Sequence, residues 1–142
     1  MFNTLEDAPS QRLDGGHIYG KGMWAASLRY HKEQFHVVFV CNDTRKSCHF
    51  TVQYAQGPWV RHEMQGFYYD CSLLFDDDGR VYIAHGNKQI RITDMKGDLS
   101  GPKEDGLDRL VLVDTGDVKV GFEGTHFYKK NGGYYMIIRA AN

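Results

Sequence analysis

The sequence predicts an all-β protein, and its composition, its turn chemistry and its short apolar segments support this. Aromatic residues make up 13% of the 142 residues, and 16 glycines stand against 3 prolines. This balance favours strands joined by tight turns. Short apolar segments alternate with polar gaps, and no helical period is sustained. The length fits one domain.

The chain contains three similar segments, at residues 25–40, 70–84 and 123–138. Each opens with a short strand that carries a hydroxyl residue, then turns and enters a stronger apolar strand. The hydroxyl residues are Ser27, Ser72 and Thr125. The polar gaps at 76–80 and 129–133 carry the Asp, Asn and Gly residues that hairpin turns with positive φ require.

Further strands complete each unit. They are expected at residues 49–54, 89–93 and 110–113. Units of roughly 40–50 residues with about four strands each are typical of β-propeller blades. The predicted division is an N-terminal extension at 1–23, blades at 24–66 and 67–118, and a half blade at 119–142. A β-sandwich is the structural alternative, but it would not explain the repeat.

Charge and hydropathy exclude several classes of partner. The chain has 17 Lys and Arg against 18 Asp and Glu, a net charge of −1, so no nucleic-acid partner is expected. No run reaches the roughly 18 apolar residues that span a bilayer, so no membrane partner is expected. The start has neither the basic region nor the apolar stretch of a signal peptide.

The cysteines and histidines predict no metal site. Cys41, Cys48 and Cys71 lack C-x-x-C spacing, which favours reduced thiols in the core of a cytoplasmic protein. His31 and His36 are spaced like a ligand pair, but no cysteine pair at zinc-finger spacing accompanies them. No cofactor is predicted to be required.

Two carboxylates are predicted to meet near the propeller axis. The residues two positions before the hydroxyl residues are Ala25, Asp70 and Glu123. If the alignment of the segments were shifted by one residue, both acids would still lie at the start of their strands. Paired carboxylates that flank a glycosidic bond hydrolyse it. Trp24 could offer a flat face to a sugar ring. The alternatives are a capped or salt-bridged strand end for each acid and a core position for the tryptophan.

The motifs at 22–31, 70–79 and 123–129, with Gly57-Pro58-Trp59, resemble glycoside hydrolase family 43 over about residues 17 to 140. The resemblance implies a five-bladed β-propeller, of which this chain would supply about two and a half blades. It also implies β-xylosidase or α-arabinofuranosidase chemistry. The expected ligand is then a pentose sugar or a plant cell-wall oligosaccharide.

The resemblance also implies roles for individual residues. Glu123 would be the general acid, Asp70 would orient it and tune its pKa, and Trp24 would line the sugar pocket. His126 would lie close enough to reach that pocket, although a structural role is its alternative. The prolines frequent in the family motifs are replaced here by Ala26, Cys71 and Thr125. Calcium near the axis is compatible with the family, but the acidic run at 76–79 is interpreted as a hairpin turn.

The general base of the family lies in an Asp-Pro motif on the first blade, and this sequence has no such motif. The N-terminal acids Glu6, Asp7 and Asp14 open no repeat unit. The chain is therefore expected to be a truncated member without the first blade, which binds sugar with little or no turnover. The alternatives are a working glycosidase that takes its base from Asp70 or another chain, and a deletion product without a role. Blades that do not close a ring predict a homo-oligomer.

Overall fold

The computed structural model describes residues 21–116 and 119–141, and it consists of antiparallel sheets. The first sheet has the order β1-β2-β3-β4 and the second β5-β6-β7-β8. Strands β9 and β10 form a two-stranded sheet. The strands are β1 Met23–His31, β2 Gln34–Cys41, β3 Lys46–Val52, β4 Val60–His62, β5 Ser72–Phe75, β6 Val81–Gly86, β7 Gln89–Met95, β8 Asp108–Val113, β9 Gly121–Lys130 and β10 Gly133–Ala141.

These sheets confirm the predicted all-β class, with two four-stranded blades and two strands of a third. The N-terminal extension, apart from its last three residues, lies outside the described residues, as do the acids Glu6, Asp7 and Asp14. The described residues contain no helix with the length and apolarity needed to cross a bilayer.

The hairpin turns follow the predicted chemistry. Asn131 and Gly132, with φ of 52° and 77°, join β9 to β10, and Gly79 has φ of 85° between β5 and β6. The first blade makes its equivalent turn with Lys32 and Glu33, at φ of 48° and 61°. Left-handed geometry at both central residues matches the twist of a two-residue hairpin.

The core lies within and between the sheets. One buried cluster joins the two blades through Val38, Leu73, Ile83 and Met95. A second cluster, which includes Leu74, Tyr82 and Phe127, joins the second blade to β9. The three cysteines are buried within these clusters and a third cluster inside the first blade.

Buried side chains connect the innermost strands β1, β5 and β9. The hydroxyl oxygen of Ser27 accepts a hydrogen bond from the backbone N–H of Leu73 at 3.0 Å. Ser72 Oγ accepts one from the N–H of Phe127 at 2.9 Å and another from Nη2 of Arg29 at 3.0 Å. Arg29 also donates to the carbonyl of Phe127 at 3.3 Å. These hydrogen bonds fix the position of each inner strand along the next one.

The predicted alignment of the third unit is wrong by one residue. Ser27 accepts a hydrogen bond from the N–H of Leu73, which is the residue after Ser72. Ser72 in turn accepts one from the N–H of Phe127, which is the residue after His126. His126 is therefore the residue of the third unit that is equivalent to Ser27 and Ser72. The bulges agree, since the ladder shifts between Trp24 and Ser27 in β1 and across residues 123–126 in β9. The hydroxyl of Thr125 is buried and has no hydrogen-bond partner in the described part of the chain.

A buried carboxylate fastens the β9–β10 hairpin to the second blade. The Asp76 side chain is fully buried, and it accepts hydrogen bonds from the Lys129 ammonium and the Tyr134 hydroxyl. Burial raises the pKa of this carboxyl, but the two donors outweigh burial and leave the pKa below its usual value. The second blade and the hairpin therefore share a charged contact as well as the apolar cluster.

One side of the molecule carries exposed apolar side chains. On β10, Tyr134, Tyr135 and Ile137 are each about half exposed, and Val111 and Val113 of β8 are more than 40% exposed. Among the described strands, β10 pairs only with β9. An unpaired edge beside an apolar surface favours association with another chain.

We predict that Ser72→Ala destabilises the fold by about 2 kcal/mol, because it leaves the buried Phe127 N–H without an acceptor and removes one of the acceptors of the half-buried Arg29 guanidinium. Chemical denaturation measures this change. Ser27→Ala, which orphans only the Leu73 N–H, should cost about 1 kcal/mol. Equal losses in the two variants would contradict the reasoning.

Candidate active site

Each inner strand enters the axial region through one residue in the left-handed conformation. These residues are Ala25, Asp70 and Gly124, with φ of 46°, 51° and 63°. They occupy equivalent positions, two residues before Ser27, Ser72 and His126. The residues that precede them are Trp24, Tyr69 and Glu123, so Glu123 is equivalent to an aromatic residue in the other two units rather than to Asp70.

A cleft of about 320 Å³ lies where the three inner strands begin. It is lined by Trp24, Ala25, Tyr69, Asp70, Glu123, Gly124 and Arg139. A groove of about 350 Å³ shares Ala25, Asp70 and Gly124 with the cleft and reaches His126. The structure therefore brings Trp24, Asp70 and Glu123 into one cleft and places His126 in the adjoining groove.

Asp70 is held against the strand that carries Glu123. Its Oδ2 accepts a hydrogen bond from the backbone N–H of Gly124 at 2.5 Å. Burial raises the pKa of the Asp70 carboxyl and the charge of Glu123 adds to this, while the N–H groups of Gly124 and Thr125 and the nearby His126 lower it. The net shift is upward, so Asp70 holds its proton to a higher pH than an exposed aspartate does.

Aromatic rings line the cleft beside the carboxylates. The indole N–H of Trp24 donates to the Lys21 carbonyl at 3.3 Å, and its ring centroid lies 6.1 Å from that of Tyr69. Burial and the charges of Asp70 and Glu123 raise the pKa of Tyr69. A neutral phenol and an indole beside two carboxyl groups provide apolar faces and hydrogen-bond acceptors together.

Sequence analysis missed two residues of the cleft, Arg139 and Tyr69. Arg139 lies directly opposite Glu123 in the β9–β10 ladder, so its guanidinium is the cation of the cleft in the described residues. Counting back from the turn at Asn131 and Gly132 would find this pairing only if the bulge were known. Tyr69 would follow from its equivalence to Trp24 once the third unit is aligned correctly.

The described residues do not fit a metal centre. No group of three or more His, Cys, Asp or Glu side chains within residues 21–116 and 119–141 is placed to hold a metal ion. The chemistry of the cleft is carried by carboxyl, guanidinium and aromatic groups.

Comparison with known sequences matches the family model "Glycosyl hydrolases family 43" to residues 3–142. A "Putative beta-xylosidase" of Xylanibacter ruminicola is 33% identical over 126 residues, which are 84% of this chain and 23% of that protein. A "Xylosidase/arabinosidase 43B" of Humicola insolens is 29% identical over 140 residues, 82% of this chain and 24% of that protein. The chain thus spans about a quarter of the length of these relatives.

Solved structures give the same similarity. A protein described as bifunctional GH43-CE from Bacteroides eggerthii superposes with a TM-score of 0.80 at 33% identity, over 94% of this chain and 18% of that one. A thermostable family-43 glycoside hydrolase superposes with a TM-score of 0.62 at 22% identity, over 87% of this chain and 48% of that one. The second similarity concerns the fold alone.

We predict that Asp70→Asn leaves the protein as stable as the wild type at pH 7, or more stable. A carboxyl whose pKa is raised by folding binds its proton more tightly in the folded state, so stability falls as pH rises from the ordinary value through the raised one. Asparagine removes this penalty, keeps an acceptor for the Gly124 N–H and tolerates positive φ. Thermal unfolding between pH 3 and pH 7 measures the effect.

Asp70→Ala is the matched control for this substitution. Alanine also removes the charge, but it loses the acceptor and adopts the left-handed conformation at a cost of about 1 kcal/mol or more. It should be less stable than Asp70→Asn at every pH. An asparagine variant that is less stable than the wild type at pH 7 would show that the charge of Asp70 is stabilising and that its burial does not dominate.

Proposed function

The chain belongs to glycosyl hydrolase family 43, and we propose that it binds the pentose end of a xylo- or arabino-saccharide, with little or no hydrolysis by these 142 residues alone. The observation that carries the proposal is the meeting of Glu123, Asp70 and Trp24 in one cleft. The names of the relatives, a xylosidase and a xylosidase/arabinosidase, supply the sugar class.

The cleft has the groups that a pentose needs. Trp24 and Tyr69 offer apolar surface to the faces of a sugar ring, while Asp70, Glu123 and Arg139 offer acceptors and donors to its hydroxyl groups. The groove that leads to His126 provides room for a substituent. Carboxylate and guanidinium groups in a half-enclosed cleft make stronger hydrogen bonds than neutral groups do.

We assign the role of proton donor to Glu123 and that of orienting group to Asp70. Glu123 is half-buried and lines the cleft, so its carboxyl group can contact a sugar that is bound there. Asp70 is bound to the N–H of the next residue, Gly124, and therefore fixes the backbone that carries Glu123. Proton donation to a leaving oxygen needs an acid placed in this way.

Low turnover follows from the carboxylates that line the cleft. Inverting hydrolysis requires a base that activates water on the face of the sugar opposite the acid. In the described part of the chain only Asp70 and Glu123 line the cleft as carboxylates. Because Asp70 is bound to the strand of the acid, it is badly placed to act from the opposite face.

The second candidate is a working β-xylosidase or α-arabinofuranosidase. Its support is the presence of Glu123 and Asp70 together in the cleft, since a protein that only binds sugar does not need a proton donor. In this case the base comes from residues outside the described part or from a partner chain. Hydrolysis of an aryl xyloside or arabinoside separates the two candidates.

We predict that xylose or arabinose binding depends on Glu123 and Trp24. Removing a sugar-bonding carboxylate from a half-buried site costs roughly 1–3 kcal/mol, so Glu123→Ala should weaken binding by about 5-fold to 150-fold. Trp24→Ala should also weaken it, through loss of the ring surface. Isothermal calorimetry measures both. Glu104→Ala, at an exposed acid outside the cleft, is the control, and equal affinity of all four proteins would place the site elsewhere.

We predict negligible hydrolysis of 4-nitrophenyl xyloside and arabinoside at neutral pH by the 142-residue chain, because a base opposite Glu123 is needed. Release of the phenol, followed by absorbance, is the measurement. A rate that Glu123→Gln abolishes would favour the working glycosidase and refute the binding-only function.

We also propose that the partner at the exposed edge is a second copy of the chain. The half-exposed β10 side chains Tyr134, Tyr135 and Ile137 lie on an edge that no described strand covers, and closed symmetric assemblies are the commonest way to bury such an edge. Light scattering at micromolar concentration should give a mass above 16.3 kDa. Tyr135→Lys should shift the protein towards the monomer, whereas a wild-type monomer would refute the association.

A further inference from the structure

A row of side chains continues from the cleft towards the outer part of the first blade. The ring of Tyr69, which lines the cleft, lies 6.3 Å from the ring of Phe67, and the Arg45 guanidinium lies over Phe67 at 3.9 Å from its centroid. We refer to Tyr69, Phe67 and Arg45 as the outer strip. Sequence analysis assigned none of these three residues.

The loop that carries the two rings is anchored on both sides. Tyr68, between them, is buried; its N–H donates to Ser47 Oγ at 3.0 Å and its ring packs against His85 at 5.0 Å. The ring centroids of Phe67 and Tyr69 lie 6.3 Å apart, so the two rings lie side by side on the loop. Both are half-buried, so each keeps accessible ring surface.

The turn that carries Arg45 is also fixed relative to the cleft. The N–H of Asn42 donates to the Gly22 carbonyl at 3.0 Å, and the N–H of Gly22 donates to Asp43 Oδ1 at 3.3 Å. These bonds hold the β2–β3 turn beside the residues that precede Trp24. Cys41, at the end of β2, pairs with Met23 at the start of β1, so the turn lies at the same end of the blade as the cleft.

The chemistry of the outer strip matches further sugar units. Aromatic rings provide apolar surface to the C–H faces of sugars, and a guanidinium stacked on a ring keeps its N–H groups directed outward in its own plane. Within residues 21–116 and 119–141, no acceptor binds the guanidinium of Arg45. Preorganised donors and rings lose little freedom when a ligand binds.

We propose that the outer strip is a binding subsite for the second and third sugar units of an oligosaccharide whose terminal pentose occupies the cleft. This inference rests on the proposed function and names its ligand as an oligosaccharide rather than a free pentose. Tyr69 belongs both to the cleft and to the outer strip. A sugar chain whose terminal pentose lies in the cleft would therefore extend directly onto the outer strip.

Calorimetry with xylose, xylobiose and xylotriose, and with the corresponding arabinose series, tests the subsite on the complete 142-residue chain. The wild type should bind the trisaccharide about tenfold more tightly than the monosaccharide, as expected for one or two ring contacts and a charged donor. Phe67→Leu and Arg45→Gln should each remove most of this gain and leave the affinity for the monosaccharide unchanged. Leucine keeps apolar volume at the loop while it removes the flat ring.

Tyr54→Ala is the matched control, since Tyr54 is an exposed aromatic residue just beyond β3, at the other end of the blade from the turn at 42–45. It should bind every sugar as the wild type does. Equal wild-type affinity for all three chain lengths, or a full gain retained in Phe67→Leu, would overturn the subsite and leave the proposed function standing. Failure of every sugar to bind, monosaccharides included, would overturn the proposed function and the subsite together.

Discussion

The candidate site depends on the hydrogen bonds that join the three inner strands. An inner strand has no neighbouring strand on the axial side, so its N–H groups there need acceptors from elsewhere. Ser27 and Ser72 supply these acceptors to Leu73 and Phe127, across 46 and 55 residues of sequence. Because the acceptors are short side chains, neighbouring inner strands lie close together. The same hydrogen bonds prevent one strand from shifting along the other. This fixed position brings Asp70, two residues before β5, within hydrogen-bond distance of Gly124 in β9.

Sequence reasoning predicted the blades because their signals are local. Turn residues and alternating apolar segments are set by neighbouring residues, so Asn131, Gly132 and Gly79 could be placed correctly. The alignment of the third unit failed for a different reason. His126 occupies the place of the two serines, and Thr125 beside it is the only serine or threonine of the third segment. An alignment on residue type selects Thr125, whereas the bulge and the Phe127 N–H select His126.

The acids and the tryptophan were found from the repeat and the family motifs, while the other members of the cleft were not. Arg139 reaches it through a cross-strand pairing that the bulge shifts. The contact between Arg45 and Phe67 joins two loops from different blades. Neither pairing leaves a pattern of spacing in the sequence, because each depends on how far a sheet twists and how two loops pack. Such contacts become visible only when the strands have been placed.

The left-handed residues explain why glycine follows the proposed acid. A Cβ added at Gly124 would meet nothing within 4 Å, so space does not demand glycine there. Ala25 and Asp70 adopt the same conformation in the other units, at the energetic cost that side chains incur when φ is positive. At Gly124 that cost is absent, and the N–H is free to lie 2.5 Å from Asp70 Oδ2. This hydrogen bond holds the strand of Glu123 against Asp70. Burial and the charge of Glu123 raise the pKa of Asp70, so the residue that positions the proposed acid keeps its proton to a higher pH than an exposed aspartate does.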